Sequence, residues 1–459
     1  MTTSLATPKI PNQVRRRGPR ALAALAAAVL VAGLAACTPA PAPSPTATAI
    51  EIPDTSVGAQ AQWVLDEINA ESVVDEAEFE EHFDPIMFEE LSVADLRDVF
   101  VQLQSGRPWT ATEYDGTETE ARVRIESTSP YDMTVSVAED GRMNGLYFGM
   151  PQPDRTPAAS WDDLRTELDE APYEVSLVVS GGDDAAVEIG DAVLSPIGSI
   201  FKLYVLGAVV DAVAAGTLTW ESPLTIDAEV RSLPSGEMQD LPDGATVTVL
   251  EAATKMISIS DNTATDALIR AVGRDAVLAA MADMGHSEPA VNTPFAATRE
   301  FFWIGWGDEE LRQQWTDADG DAAAREAVIA DVPAGPPAIE TFDPTTPVWQ
   351  SGIDWFATPD DIARAHLALQ ERATTDAGEP VRGILSENPG IEAADDWTYV
   401  GFKGGSSVGV MAGSWYLERE GADPVVLTVF ARSDDPAAVA DPAIVFAPAE
   451  DAARLLLEE

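Results

Sequence analysis

The sequence predicts two folded domains of mixed composition, a smaller α+β unit followed by a larger unit of α+β or α/β type. Three observations lead there. A chain of 459 residues exceeds what one ordinary hydrophobic core organises. Between residues 57 and 150 the apolar pattern changes from a helical period to a period of two, helices followed by antiparallel strands. Beyond residue 160, strand-like runs at both ends enclose a long helical middle, so the second sheet must be assembled from distant parts of the chain.

Residues 1–36 have the layout of an export signal: Lys9, Arg15, Arg16, Arg17 and Arg20, then the apolar stretch Ala21 to Leu34, then small residues. The three adjacent arginines suggest a twin-arginine route, but the hydrophobic residues expected after them are absent. Leu34-Ala35-Ala36-Cys37 resembles a bacterial lipobox, which implies lipidation of Cys37 and anchorage on the outer face of the bacterial cell membrane. The competing reading, a transmembrane anchor, needs about 20 apolar residues, and the stretch is shorter. Cys37 is the only cysteine, so no intrachain disulfide can form. Residues 37–56, rich in Pro, Ala and Thr, read as a tether.

Acidic residues outnumber basic ones 78 to 27, for a net charge of −51, and five of those basic residues lie in the export segment. Such a surface repels phosphate backbones and anionic headgroups, which argues against nucleic acid and electrostatic membrane partners. A solvated acidic face without a dedicated partner is the plain reading.

In residues 57–153, Ala61, Val64, Leu65 and Ile68 recur at helical spacing, with further helices at Phe79 to Phe83 and Leu96 to Leu103. Strands are predicted at Arg122 to Ile125, Met133 to Val137 and Gly145 to Met150. This order suits a small cone-like fold. Trp63, Trp109, Phe83, Phe88 and Phe100 fit its core better than a pocket. Pro151, Pro153 and Pro157 mark a linker. In residues 160–459, a helix near Ser160 to Leu168 and a strand at Tyr173 to Ser180 precede helices that open near Ser199 and cover Leu250 to Ile259, Thr263 to Val272 and Asp275 to Met284. Strands return at Trp397 to Phe402, Gly409 to Leu417 and Pro424 to Ala431, and a helix at Pro442 to Leu457 closes the chain.

Four short motifs in this second domain can carry chemistry. Ser199-Ile200-Phe201-Lys202 opens an apolar helix, and residues three apart share a face, so a lysine of lowered pKa can serve as base for the serine. Only Lys202, Lys255 and Lys403 follow Cys37. A chain that otherwise uses arginine, which cannot give up its proton, places lysine where proton transfer is needed. Ser260-Asp261-Asn262 precedes a helix. It offers a hydroxyl to relay a proton and an amide to hold a substrate, or else an ordinary helix cap. Lys403-Gly404-Gly405 ends a strand, either to admit a substrate beside the backbone or as a bulge. Glu288-Pro289-Ala290-Val291-Asn292 is either a water-holding carboxylate and amide or a solvated loop.

The ordered triple S-x-x-K, S-D-N and K-G-G resembles the serine β-lactamase and penicillin-binding-protein superfamily, the class A enzymes in particular, over residues 160–459. Thr358-Pro359 at a helix start adds to the likeness. With the first domain, the chain resembles two-domain lipoproteins that join a steroid-isomerase-like (NTF2-like) domain to a β-lactamase-like one. The resemblance implies an antiparallel sheet flanked by helices, an all-helical subdomain and acyl-enzyme chemistry. It also implies a β-lactam, peptidoglycan peptide or ester as substrate. In it Ser199 is the nucleophile, Lys202 its base, Ser260 the relay to the leaving group, and Lys403 the support for Ser260 and a substrate carboxylate. The amides of Ser199 and Ser406 form the oxyanion hole. Asn262 contacts the substrate amide, Gly404 and Gly405 border it, Glu288 activates the deacylating water and Asn292 positions that water.

The sequence departs from the pattern in two places. Gly404 lacks the usual hydroxyl, and Glu288 falls closer to Ser260 than in the class A enzymes. The aromatic stretch Phe295 to Phe356 reads as added core rather than a lid. His82, His286 and His366 are scattered, and no G-x-S-x-G surrounds a serine, which leaves no Ser-His-Asp triad. The sequence implies no metal and no cofactor. A binding or sensing lipoprotein without turnover is the alternative, but a pure binder needs no lysine beside Ser199.

Overall fold

The computed structural model describes residues 49–89, 92–127, 130–138, 140–149, 155–181, 187–343, 345–391 and 397–458. Cys37, the export segment and part of the proline linker lie outside them. The chain divides into two compact units, Met1–Gln152 and Pro153–Glu459.

The first unit opens with α1 (Ser56–Asn69), α2 (Glu76–His82) and α3 (Val93–Gln104). The strands β1 (Thr110–Gly116), β2 (Glu120–Glu126), β3 (Tyr131–Val137) and β4 (Met143–Gly149) follow, forming an antiparallel sheet in that order. Val57, Ala61, Val64 and Ile68 on α1 are buried against Val123, Ile125, Met133 and Val135 of the sheet. Amphipathic spacing on the helix thus meets alternation on the strands. Thr55 caps α1 by accepting from Gly58 N at 3.0 Å. The fold begins before the predicted end of the tether: Ile50 N donates to Ala111 O at 3.0 Å, and Ile50 and Ile52 pack on the core. Two isoleucines, unlike the prolines before them, have apolar surface to bury. Strand β1 was not predicted. Of its residues only Ala111 is buried, and a bulge between Ala111 and Glu113 breaks its alternation.

The second unit starts with α4 (Trp161–Asp169), β5 (Glu174–Gly181), β6 (Val187–Ile189) and β7 (Ser195–Pro196). Its helical middle comprises α5 (Lys202–Ala214), the hairpin β8 (Pro223–Ile226) and β9 (Ala245–Thr248), then α6 (Val249–Ser258), α7 (Asn262–Val272) and α8 (Arg274–Asp283). Then come α9 (Thr298–Phe302), α10 (Glu309–Asp317), α11 (Ala322–Ala330), β10 (Phe356–Ala357), α12 (Pro359–Arg372) and α13 (Val381–Ser386). The chain closes with β11 (Tyr399–Ser407), β12 (Val410–Glu418), β13 (Val425–Arg432) and α14 (Pro442–Glu458).

The main sheet is antiparallel with order β11-β12-β13-β5-β6. The start and the end of the second unit meet where β13 pairs with β5, Val425 opposite Gly181 and Arg432 opposite Glu174. Alternate residues of β13 serve two cores: Leu427, Val429 and Ala431 face a core shared with α4 and α14, and Phe430 joins the core of the helical middle. Helix α5 runs through that second core, buried from Lys202 to Val210, as expected of a helix apolar on every side. The aromatic stretch is core here: Phe295, Phe301, Trp306, Trp315 and Trp355 are all buried with α5. Among the described residues no helix is long and apolar enough to cross a membrane.

Candidate active site

Ser199 stands in a 3-10 turn, Gly198–Phe201, that runs straight into α5. Gly198 has φ +47°, a left-handed conformation that glycine adopts without steric cost. The site also leaves no room for a side chain. A Cβ on Gly198 would lie 2.6 Å from Ser406 N, and one on Gly405 would lie 2.1 Å from Ile197 O and 2.8 Å from Ser199 N. Backbone therefore touches backbone where the nucleophile turn meets the end of β11. Behind the turn, Phe201 stacks on Trp355 with ring centroids 3.8 Å apart. Ser199 is half-buried, and among the described residues its hydroxyl has no hydrogen-bond partner.

Lys202 is fully buried on the first turn of α5. Its Nζ donates to Ser260 O at 2.6 Å, Asn262 Oδ1 at 2.7 Å and Ser260 Oγ at 3.0 Å. Burial, with a contribution from the Lys403 charge, holds its pKa well below the ordinary lysine value against the pull of Asp261 and Asp266. Lys403, on β11, approaches the same hydroxyl from the other side. It donates to Ser260 Oγ at 3.0 Å and to Gly404 O at 2.8 Å, and burial brings its pKa down to about 7. One hydroxyl thus sits between two desolvated amines. Ser260 itself has φ +58°, an uncommon conformation for a non-glycine residue. Its carbonyl also accepts from Ser235 Oγ at 2.8 Å.

The S-D-N segment divides its work between both sequence readings. Asp261 is a helix cap, accepting from Ala264 N at 2.8 Å, Glu237 N at 2.7 Å and Met238 N at 2.8 Å. Ser260 and Asn262 face Lys202 instead. The Asn262 amide is already engaged at both ends, since its Nδ2 donates to Leu233 O at 3.0 Å.

Three of the predicted residues have the following surroundings. Lys202 bonds Ser260 and Asn262 rather than Ser199, because a buried amine needs acceptors for its N–H groups and the carbonyl and amide oxygens of residues 260 and 262 supply them. Glu288 is exposed, and its carboxylate makes no hydrogen bond to Ser199, Lys202, Ser260 or Asn292. Asn292 holds no water-activating carboxylate. It receives Phe356 N at 2.8 Å and donates to Phe356 O at 3.0 Å, which pins β10 beside β7. Gly405 and exposed Ser406 border the turn, whereas Gly404 lies beside Phe402 and Ala412 O.

Sequence reasoning missed Asp354 and Ser235. Asp354 Oδ1 accepts from Gly198 N at 2.9 Å and Trp355 N at 2.8 Å, and its Oδ2 accepts from Ser407 Oγ at 2.6 Å. The partly exposed residue has its carboxyl enclosed by protein, and this desolvation raises its pKa to about 6. One carboxylate among 78 acidic residues gives no signal in the sequence. Of the other candidates, Lys255 pairs with Glu237 at 2.8 Å, and buried His366, its pKa lowered to about 3 by burial, contacts Ser414 Oγ at 3.0 Å.

A sheet joined from both ends of the second unit, helices on its faces and a serine turn pressed against its edge strand define a β-lactamase-type fold. Residues 160–387 match the sequence profile of the beta-lactamase enzyme family. Residues 52–143 match the profile described as ORF 12 gene product N-terminal. No curated protein matches the sequence. Among solved structures, the chain is similar to a beta-lactamase from Sphaerobacter thermophilus DSM 20745, at 20% identity and TM-score 0.47, over 65% of this chain and 96% of that one. A class A beta-lactamase representative from Bacteroides cellulosilyticus DSM 14838 is similar at 20% identity and TM-score 0.46, over 67% and 100%. A mutant of PBP-A, solved as an acyl-enzyme complex with penicillin G, is similar at 16% identity and TM-score 0.44, over 65% and 99%.

Proposed function

We propose that the chain is an exported, lipid-anchored serine hydrolase in which Ser199 forms an acyl-enzyme with an amide or ester of the β-lactam or peptidoglycan-peptide type. The observation that carries this reading is the Ser260 hydroxyl held at 3.0 Å from both Lys202 Nζ and Lys403 Nζ, each buried and of lowered pKa. A desolvated amine of lowered pKa can take a proton and return it. An ammonium would donate all three bonds of Lys202. A neutral amine has two N–H groups for the shorter bonds to Ser260 O and Asn262 Oδ1, and it leaves its lone pair toward Ser260 Oγ.

In the proposed cycle Lys202 exchanges that longer bond for the Ser199 proton as Ser199 Oγ adds to the substrate carbonyl. The Ser199 and Ser406 amides take the developing oxyanion, an interaction worth on the order of a hundredfold in rate. Ser260, backed by Lys403, then protonates the leaving nitrogen or oxygen and takes the proton held by Lys202 in its place, which returns Lys202 to the neutral amine. The exposed Glu288 favours slow release of the acyl group over rapid turnover. Export and the Cys37 anchor rest on the sequence of residues 1–37, and a steroid-isomerase-like fold for the first unit rests on its helices-then-sheet order.

The reading is tested by following a panel of chromogenic esters and β-lactams with the wild type and Ser199→Ala. Turnover or a burst of at least one member by the wild type alone supports it. Equal behaviour of the two proteins across the panel rejects it.

A further inference from the structure

The mechanism uses the Ser199 and Ser406 amides as a pair, yet they belong to segments more than two hundred residues apart in sequence. One segment is the turn at Gly198–Phe201, the other the end of β11. Their mutual position is set by whatever ties those two pieces of backbone together. Packing alone limits only how closely they approach, through the side-chain-free contacts of Gly198 and Gly405.

One side chain joins both. Asp354 receives the N–H of Gly198, the residue before Ser199, at 2.9 Å, and the hydroxyl of Ser407, the residue after Ser406, at 2.6 Å. It is itself fixed by Trp355 N at 2.8 Å, in a segment that pairs with the chain ahead of the turn through Ile197 N to Trp355 O at 2.9 Å. Among the described residues no other side chain hydrogen-bonds both segments. We propose that Asp354, through Gly198 and Ser407, is a positioning residue that sets the separation and aim of the Ser199 and Ser406 amides for the acyl oxyanion. This rests on the function proposed above.

The role has a geometric basis. Oxyanion donors act only when fixed at hydrogen-bonding distance from where the charge will form, so a small splaying of the pair weakens the transition state while leaving the ground-state contacts of the substrate intact. Loss of the clamp must therefore appear in the acylation step and not in initial binding. Each carboxylate oxygen has its own task, Oδ1 for the turn and Oδ2 for the strand. An asparagine can keep both, its carbonyl oxygen accepting from Gly198 and its amide donating to a reoriented Ser407 hydroxyl.

The test is single-turnover acylation by a chromogenic ester, with the saturation constant and limiting rate resolved, in wild type, Asp354→Ala, Asp354→Asn, Ser407→Ala and the Asp354→Ala/Ser407→Ala double variant. Expected are a limiting rate about tenfold or more lower in Asp354→Ala, a loss of about threefold to tenfold in Ser407→Ala, and recovery to within about threefold of wild type in Asp354→Asn. The saturation constant stays within about twofold throughout, and the double variant is no slower than Asp354→Ala, since both break one linkage. If Asp354→Ala does not fold, Ser407→Ala and Asp354→Asn decide the matter. Wild-type limiting rates in Ser407→Ala, or a loss confined to the saturation constant, overturn the proposal. Absence of acylation in the wild type itself overturns the underlying function instead.

Discussion

Lys202 Nζ lies 2.7 Å from Asn262 Oδ1, in a pocket of protein that solvent does not reach. A neutral amide oxygen there steadies the amine without adding the negative charge that would hold its proton. The contact therefore preserves the lowered pKa of Lys202.

It follows that Asn262→Asp should impair acylation at neutral pH and restore it in alkali. The wild-type rate should rise with pH as Lys202 loses its proton. With a carboxylate in place of the amide, the midpoint of that rise should move up by about one unit or more. A pH series of acylation rates for both proteins checks this. Lys202→Met should lose about a hundredfold or more at every pH.

Gly405→Ala should be damaging out of proportion to one methyl group. The added carbon would meet Ile197 O at 2.1 Å and Ser199 N at 2.8 Å, and neither backbone atom can rotate away. Acylation is expected to fall by more than about tenfold together with a lower melting temperature, by about 1–3 kcal/mol of overpacking. Thermal unfolding and probe labelling measure the two effects.

Glu288→Gln should leave the acyl-enzyme lifetime within about twofold of wild type, because the exposed carboxylate touches none of the site residues. A carboxylate that activates the deacylating water would instead contribute about a hundredfold or more. Decay of the adduct mass over time separates the two outcomes.

Asp266 gives a prediction about stability. It is buried on α7, and desolvation raises its pKa to about 7, above the value of about 3.9 in an unfolded chain. The folded state therefore binds the proton more tightly. The stability this contributes is complete below about pH 4, and it is lost as pH rises to about 7. Asp266→Asn cannot titrate. The unfolding free energy of the wild type relative to that variant should decline between pH 4 and 7, then level off. A constant difference across that range would show that Asp266 is not protonated in the fold. Lys403 acts in the opposite direction: its pKa falls to about 7, so its contribution is complete above about pH 10 and is lost as pH drops toward about 7.

Much of this was legible in the sequence, and for identifiable reasons. Lysine is so scarce after Cys37 that Lys202 and Lys403 could be singled out, and the structure brings both onto Ser260. Several helices of the second unit were readable from their apolar residues, as in α7 with Ala264, Ala267 and Leu268 buried, whereas α9, α10, α11 and α13 were not placed. Strand β1 was not, because an edge strand with one buried residue and a bulge leaves no alternation to see. Asn292 was read as holding water, but it holds Phe356, since a side-chain amide serves a backbone as readily as a substrate. Asp354 was invisible. Its meaning lies in contacts with Gly198 and Ser407, and such long-range pairings leave no local pattern.

Covalent chemistry at Ser199 is the claim on which the rest stands, and peptide-level mass spectrometry after incubation with penicillin G and with a fluorophosphonate tests it most directly. A single adduct on the peptide that contains Ser199, absent from Ser199→Ala, is the expected result. An unmodified wild type with both reagents, or an adduct on another serine that survives Ser199→Ala, would contradict it.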